Sequence, residues 1–467
     1  MASAVENIRS ADLPEKWRRR HLILIFCAWK GLLLLLSAFC PGPGYDTSGL
    51  VLFNPSVRRH DELNNASRTD RLAINLLRWD AIYFVKAGER GHIFEQEWAF
   101  SWANSHLLRA VEQYVPSSPD NPLRSYIVAG VVLSLASHLL SVLVLYALLT
   151  VILDRRQQGN VAFVASALHI LTPASLFYCA PYSEALFSLL NLTGMLLYAL
   201  SKSATSQSPT LTADAYMLGS GVVFALATLM RSNGLLGGLI FLYDVTRYLP
   251  RIISGELSFW IIRKVAVTCI AGLSIALGFL FPQYLAYGEF CGHKAVSPPR
   301  PWCEKTLPSI YSFVQSHYWN VGLFRYWTLS NLPLFLIAAP ILWLMLESSV
   351  TVLRSYNHGP SHGLHVPQGK GTIRPSRPFA WVHSLPELAL PQLVLAIAAI
   401  TSFHVQITNR IASAYPTWYV MVAGWLVSGQ TKPSSAKSLH RDQWIVRGLI
   451  IYALVQGMLY ANFLPPA

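Results

Sequence analysis

The apolar positions of this chain come in long blocks, without the alternation of a strand or the spaced stripe of a one-sided helix. The blocks cover residues 21–40, 124–151, 161–179, 185–200, 215–230, 235–249, 265–287, 330–353, 385–405, 416–427 and 444–463. A helix needs about 20 residues to cross the hydrocarbon core of a bilayer. The pattern therefore predicts an all-α polytopic membrane protein with about 10–11 transmembrane helices. No internal repeat divides it, so residues 1–467 read as a single membrane domain. Three polar stretches of size separate the blocks: 41–123, 288–327 and 354–378.

Composition narrows the class. Hydrophobic residues make up 53% of the chain and charged residues 13%, about half the charged share of a soluble domain. Lys and Arg number 36 against 23 Asp and Glu, a net charge of +13. In a soluble chain that excess would suggest nucleic acid; here it follows the cytoplasmic loops, which are enriched in Lys and Arg and drawn to anionic lipid. No nucleic-acid partner is read from it. Lys16, Arg18, Arg19 and Arg20 precede the first block, and Lys30 sits in its middle, which favours a retained signal-anchor helix over a cleaved leader.

Alternating the blocks from that start returns Arg155, Arg156, Arg247, Arg251, Arg263, Lys264, the basic loop 354–378, and Lys432, Lys437 and Arg441 to the same side. The loops 41–123 and 288–327 then face the opposite side. The second holds Cys291 and Cys303, which an oxidising compartment can bridge or leave as thiols. Asn65-Ala66-Ser67 is a glycosylation acceptor in the first loop, whereas Asn191-Leu192-Thr193 falls inside a block. The expected location is the endoplasmic reticulum membrane, with both large loops luminal.

Candidate chemistry concentrates in LLRWDAIYFVKAGERGHIFEQEWAF, residues 76–100. Arg78, Trp79, Asp80, Lys86, Glu89, Arg90, Glu95 and Glu97 are more than an anchor requires. The stretch reads as a surface helix ending near Gly88 or Gly91, with Trp79 and Tyr83 on one face at the membrane interface. Residues 98–115 read as a second surface helix. Asp80 is expected at the lipid boundary, beside Arg78 or a residue from another helix. The plain alternative makes Trp79 a belt aromatic and Arg78 with Asp80 a solvated pair.

Five motifs in one order carry a resemblance: RWDAIYF with GHIFEQEWAF, TPASLFYCAPYSEALFSLL, RSNGLL, FPQYLAYGEFC with RPWC, and HVQITNR. Together they resemble the GPI mannosyltransferase 2 (PIG-V) family, from the first loop through Arg410. Two departures stand out: ANSHLLRAV follows AFSW where the family has a proline-containing turn, and the loop 353–378 has no counterpart. The resemblance implies a multi-spanning, GT-C-like glycosyltransferase with a lipid donor. It implies transfer of the second mannose, in α1,6 linkage, from dolichyl-phosphate mannose to a GPI precursor at the luminal face. Asp80 takes the place of that class's catalytic acidic residue, with Trp79 beside it. Fungal members are associated with a small membrane accessory subunit, whose need here the sequence leaves open.

The chemistry agrees on its own terms. A β-linked mannosyl phosphate giving an α-mannoside requires inversion, hence a single displacement. One carboxylate suffices as general base, and a phosphate leaving group needs positive charge or hydrogen-bond donors rather than an acid. Arg231 and Asn233 in the turn RSNG, and His404, Gln406 and Arg410 in HVQITNR, sit where such a phosphate would lie. Tyr182, Ser183 and Glu184 can bind sugar hydroxyls, and Arg78 and Trp79 complete the candidate binding set. Each has a plainer reading: Arg231 as a snorkelling arginine, His404 as a bundle histidine, Ser183–Glu184 as a helix cap. Glu95 and Glu97 read as contacts for the acceptor's ammonium or ethanolamine groups, or as a solvated loop.

No zinc-type Cys/His cluster, glycine-rich phosphate loop or DxD motif appears, so the sequence requires neither metal nor cofactor, and a divalent metal stays open. His358, His362 and His365 lie among Gly359, Pro360 and Gly363 and read as a disordered cytoplasmic stretch. Two other functions share this sequence pattern: another dolichyl-phosphate-mannose-dependent mannosyltransferase, or a transporter of lipid-linked sugars. Transporters favour repeated halves and broken mid-membrane helices, whereas this chain places its polar residues at the luminal ends of its blocks.

Overall fold

The computed structural model describes residues 15–40, 48–53, 68–116, 121–153, 158–207, 211–292, 300–357, 385–431, 436–462 and 464. The acceptor triplet at Asn65, the basic residues Arg155 and Arg156 and the histidines at 358, 362 and 365 lie outside them. Every regular element among the described residues is helical. The principal helices are α1 (Glu15–Phe39), α2 (Arg68–Leu76), α3 (Ala81–Arg90), α4 (Trp102–Glu112) and α5 (Pro122–Ile152). Next come α6 (Gln158–Ile170), α7 (Glu184–Gln207), α8 (Leu211–Met230), α9 (Gly238–Thr246) and α10 (Phe259–Cys291). The chain continues through α11 (Ile310–His317), α12 (Leu332–Asn357), α13 (Leu390–Thr401), α14 (Thr417–Thr431) and α15 (Ala436–Ala461).

Seven of these, α1, α5, α7, α8, α10, α12 and α15, are long and apolar enough to cross a membrane, and α6, α13 and α14 are shorter apolar helices. The protein is therefore a multi-pass, all-α membrane protein. The apolar block 235–249 becomes a 3-10 stretch, Ser232–Gly237, followed by the short α9.

The shortened helices explain themselves locally. Helix α6 stops at Ile170 because Pro173 drives the residue before it out of the helical region. Residues 171–183 then run through the 3-10 turn Ser175–Tyr178 before α7 begins at Glu184. Likewise α13 ends at Thr401, and residues 402–416 pass through short turns up to Pro416. Both connections are buried; Tyr178, Cys179, Ala180, Ala412 and Ala414 have no exposed surface. Irregular backbone in a membrane protein is stable only where the protein itself satisfies its polar groups. Here Ser134 Oγ donates to the Ala180 carbonyl (2.7 Å), Asn191 Nδ2 to Ala414 (3.0 Å) and Trp418 Nε1 to Ala412 (3.0 Å). The Asn191 triplet thus lies in the core and holds a loop.

Close approach does the rest. A Cβ on Gly278 of α10 would stand 2.3 Å from the Ala225 carbonyl of α8, and one on Gly130 of α5 would meet Pro181 at 2.3 Å. Small residues let helices touch backbone to backbone where lipid supplies no hydrophobic drive to pack them. The Gly130 contact presses α5 onto the loop that leads into α7. At one end of the bundle the two large loops meet, with Phe100 of the first edge-on to Trp319 of the second at 5.4 Å.

Candidate active site

Asp80 opens α3 as its N-cap residue, yet its side chain makes no cap bond. An aspartate there ordinarily accepts from the helix's own first N–H groups. Instead Asp80 Oδ2 accepts from Arg410 Nη1 at 2.9 Å. The backbone just before it is strained: Trp79 has φ of 53°, the left-handed region that non-glycine residues rarely occupy. Two hydroxyls brace that turn. Tyr182 Oη donates to the Arg78 carbonyl at 3.1 Å, and Tyr460 Oη, from α15, donates to the same carbonyl at 3.2 Å and to Leu76 at 3.0 Å.

Arg410 ties the site together. Its Nη2 lies 3.1 Å from Glu184 Oε1, and Arg231 Nη1 reaches that same oxygen at 2.7 Å. Its guanidinium is 4.6 Å from the Phe177 ring centre and 5.4 Å from that of Tyr182. Asp80, Arg410, Glu184 and Arg231 form an alternating row of charges drawn from four parts of the chain. Within the row Glu184 is buried, whereas Asp80 keeps about a third of its side-chain surface.

The row borders a cavity of about 510 Å³, within the usual range for a small-molecule site. Trp79, Asp80, Ser183, Arg231, His404, Gln406 and Arg410 all line it. Tyr83, Phe100 and Trp319 form an aromatic wall, with Tyr83 stacked on Phe100 at 4.7 Å. Burial, with the Asp80 charge behind it, raises the Tyr83 phenol above its usual range; burial raises Tyr311 as well. Both remain hydrogen-bond donors at neutral pH. The Ser183 hydroxyl is buried and has no hydrogen-bond partner among the described residues.

Other candidates take different places. Arg78 is fully buried outside the cavity wall, where its Nη2 donates to Asn75 Oδ1 at 3.1 Å. Tyr182 and Glu184 stand behind the wall as brace and counter-charge. Asn233 also lies behind it, donating to Tyr415 Oη at 3.1 Å. His404 is on the wall with Nε2 2.9 Å from the Trp319 carbonyl, and its ring stacks on Tyr326 at 4.7 Å. Gln406 Oε1 accepts from Tyr326 Oη at 3.0 Å.

Glu95 and Glu97 are not part of a solvated loop. Glu95 is buried, accepting from Trp302 Nε1 (2.8 Å) and Tyr318 Oη (3.0 Å). Glu97 accepts from Arg90 Nη2 (2.6 Å) and the Ile93 and Phe94 amides (2.7 and 3.1 Å). They are struts that fold the first loop back on itself and fasten it to the second. Cys291 and Cys303 form a disulfide, with Cα atoms 5.6 Å apart, that closes the base of the second loop. Residues 102–112 form α4, capped by Ser101 Oγ accepting from the Asn104 amide at 3.0 Å. Among the described residues, no three His, Cys, Asp or Glu side chains gather as metal ligands.

Sequence reading missed Tyr311, Trp319, Asn409 and Tyr452 on the wall and Tyr460 behind it. Aromatic residues abound in this chain, so only the helix packing singles these out.

A family profile described as Mannosyltransferase (PIG-V) matches residues 19–467. GPI mannosyltransferase 2 of Aspergillus fumigatus is 40% identical over 455 residues, covering 96% of this chain and 93% of that protein. The protein of the same name from Aspergillus oryzae is 39% identical, covering 96% of each. Among solved structures, the oligosaccharyltransferase of Archaeoglobus fulgidus in its apo form aligns with a TM-score of 0.46 at 12% identity. That alignment covers 93% of this chain and 56% of that one.

Proposed function

The chain belongs to the mannosyltransferase (PIG-V) family, and from that premise we propose that it transfers the second mannose to a GPI-anchor precursor. The donor is dolichyl-phosphate mannose, the new linkage is α1,6, and the reaction is a single inverting displacement at the luminal face of the endoplasmic reticulum. The Asp80 carboxylate carries this reading: it stands free of its own helix, on the cavity wall, 2.9 Å from Arg410 Nη1.

In the reaction, the acceptor's 6-hydroxyl oxygen attacks the anomeric carbon of the donor mannose. Asp80 takes the hydroxyl proton, the carbon–oxygen bond to phosphate breaks, and the phosphate leaves with the electron pair. Arg410 serves both ends. Its guanidinium holds the Asp80 carboxylate in place at rest and, with Arg231, receives the negative charge that builds on the departing phosphate. Glu184 orients the two arginines toward one point, and the aromatic wall supplies apolar faces for the sugars. The donor lipid, the GPI precursor and membrane lipids are the partners this reaction needs, and a small membrane accessory subunit is a further candidate partner. The luminal assignment rests on the side-to-side distribution of basic loops and on the Cys291–Cys303 disulfide, which suits an oxidising compartment.

The test compares wild type with Asp80→Asn in microsomes supplied with dolichyl-phosphate mannose and a precursor bearing one mannose. The wild type adds a single α1,6-mannose. The variant, at equal abundance, loses about 10²- to 10⁴-fold in rate, the usual contribution of a general base. Full activity in Asp80→Asn would reduce Asp80 to an anchor for Arg410.

A further inference from the structure

A second cavity, of about 660 Å³, runs between α12 and α15. Ile341, Leu344 and Leu449 are buried along it, and Ile337 and Val455, more than a third exposed, also line it. Its α15 wall extends from Trp444 to Leu459, about 22 Å of helix axis against the roughly 30 Å of a hydrocarbon core. Pro173, Asn409 and Tyr452 line both this groove and the polar cavity. Asn409 is the neighbour of Arg410, so the groove opens beside the arginine that holds Asp80.

Two features of the groove are unexplained by packing. Gln456 lines it with 2% of its surface exposed, and neither its amide nitrogen nor its oxygen has a hydrogen-bond partner among the described residues. A buried amide left unpaired is costly, and polar residues inside apolar helices usually mark a ligand path. Gly448 also lines the groove, and a Cβ built there meets nothing within 4 Å. The helix turns an open notch toward the groove.

We propose that this groove holds the polyisoprenyl chain of the lipid donor, with the Gln456 amide at its mouth bonding the phosphate ester. The inference rests on the proposed function for the identity of the donor. Geometry chooses the donor over the acceptor. In a polyisoprenyl phosphate sugar, the chain begins at the very phosphate that leaves, so it must enter beside the phosphate-binding arginine. The acceptor's tails are separated from its reacting hydroxyl by several sugar rings and reach the bilayer some distance away. The Arg410 end of the groove therefore suits a chain attached directly to the reacting phosphate.

The test reads binding separately from turnover. Full-length protein in nanodiscs is labelled with a polyprenyl phosphate that carries a photoreactive group along its chain and no sugar. Labelled peptides are expected from residues 336–344 and 445–459, with labelling displaced by dolichyl phosphate and not by phosphatidylinositol. Gly448→Phe, which fills the notch, should cut that labelling and raise the donor KM at least tenfold. Leu273→Phe, on the exposed face of α10, should change neither. Labelling elsewhere, or displacement by phosphatidylinositol as readily as by dolichyl phosphate, overturns the proposal. Because the probe carries no mannose, groove labelling without mannosyl transfer would sink the assigned reaction and leave the groove standing. Should Gly448→Phe fail to accumulate, the wild-type labelling map decides alone.

Discussion

Asp80 is useful because of what it does not do. A carboxylate that caps its own helix is spent on backbone N–H groups; this one is aimed across the site at Arg410. The aim depends on the turn at Trp79, and that turn depends on two tyrosine hydroxyls bonded to one carbonyl. Tyr460→Phe removes one brace and leaves the ring in its packing. We expect kcat to fall about tenfold, since small misplacements of a reacting group are costly, with the donor KM within twofold of wild type. Equal losses in kcat and abundance would mean that Tyr460 only supports the fold. Arg78 shows the reverse lesson. Its place beside Trp79 and Asp80 suggested a binding role, yet its side chain turns inward to Asn75, because the irregular backbone at 77–80 sends neighbouring residues in opposite directions.

At the scale of elements, the site is made of helix interruptions. The loops 171–183 and 402–416 begin inside blocks that hydropathy carries on to 179 and 405, and they deliver Ser183 and Arg410 to one wall. The loop 91–100 is latched to the loop after α10 by Glu95, which bridges to Trp302 and Tyr318, and the disulfide closes that second loop onto the end of α10. Cys303→Ser opens that closure. A crosslink closing a loop of this size contributes up to about 3 kcal/mol, so the variant should melt at lower temperature in detergent. Its activity should fall mainly through the acceptor KM, because Trp319 sits on the loop and on the wall. A thermal scan with parallel kinetics checks both parts.

Across the whole molecule, charge is paired far from the site as well. Arg247 Nη2 reaches Glu387 at 2.9 Å and Tyr198 Oη donates to the same carboxylate at 2.6 Å, while Asp214 accepts from Arg263 (2.7 Å) and Lys264 (2.6 Å). The first group joins α7 and the end of α9 to the turn before α13, and the second joins α8 to α10. Glu387 is fully buried, and removing one member of a buried pair costs about 3 kcal/mol or more. Glu387→Ala should therefore lower the melting temperature, with the donor KM of the surviving enzyme unchanged; a normal melt would mean the pair carries no net stability.

Much of this was legible in the chain itself. Long apolar blocks fix a helical multi-pass protein because unsatisfied backbone cannot be exposed to lipid, and the ordered motifs around Asp80, Arg231 and Arg410 identify the family. The sequence also marked Trp79, Ser183, His404 and Gln406, which the fold does bring to one cavity. It could not say that Glu184 serves as a buried counter-charge, that Glu95 and Glu97 are struts, or that Tyr460 supports a turn 380 residues earlier in the chain. Those roles are contacts between segments far apart in sequence. Composition and spacing record which side chains are available; only packing decides which of them face one another, and the charge row and the groove beside it exist at that level alone.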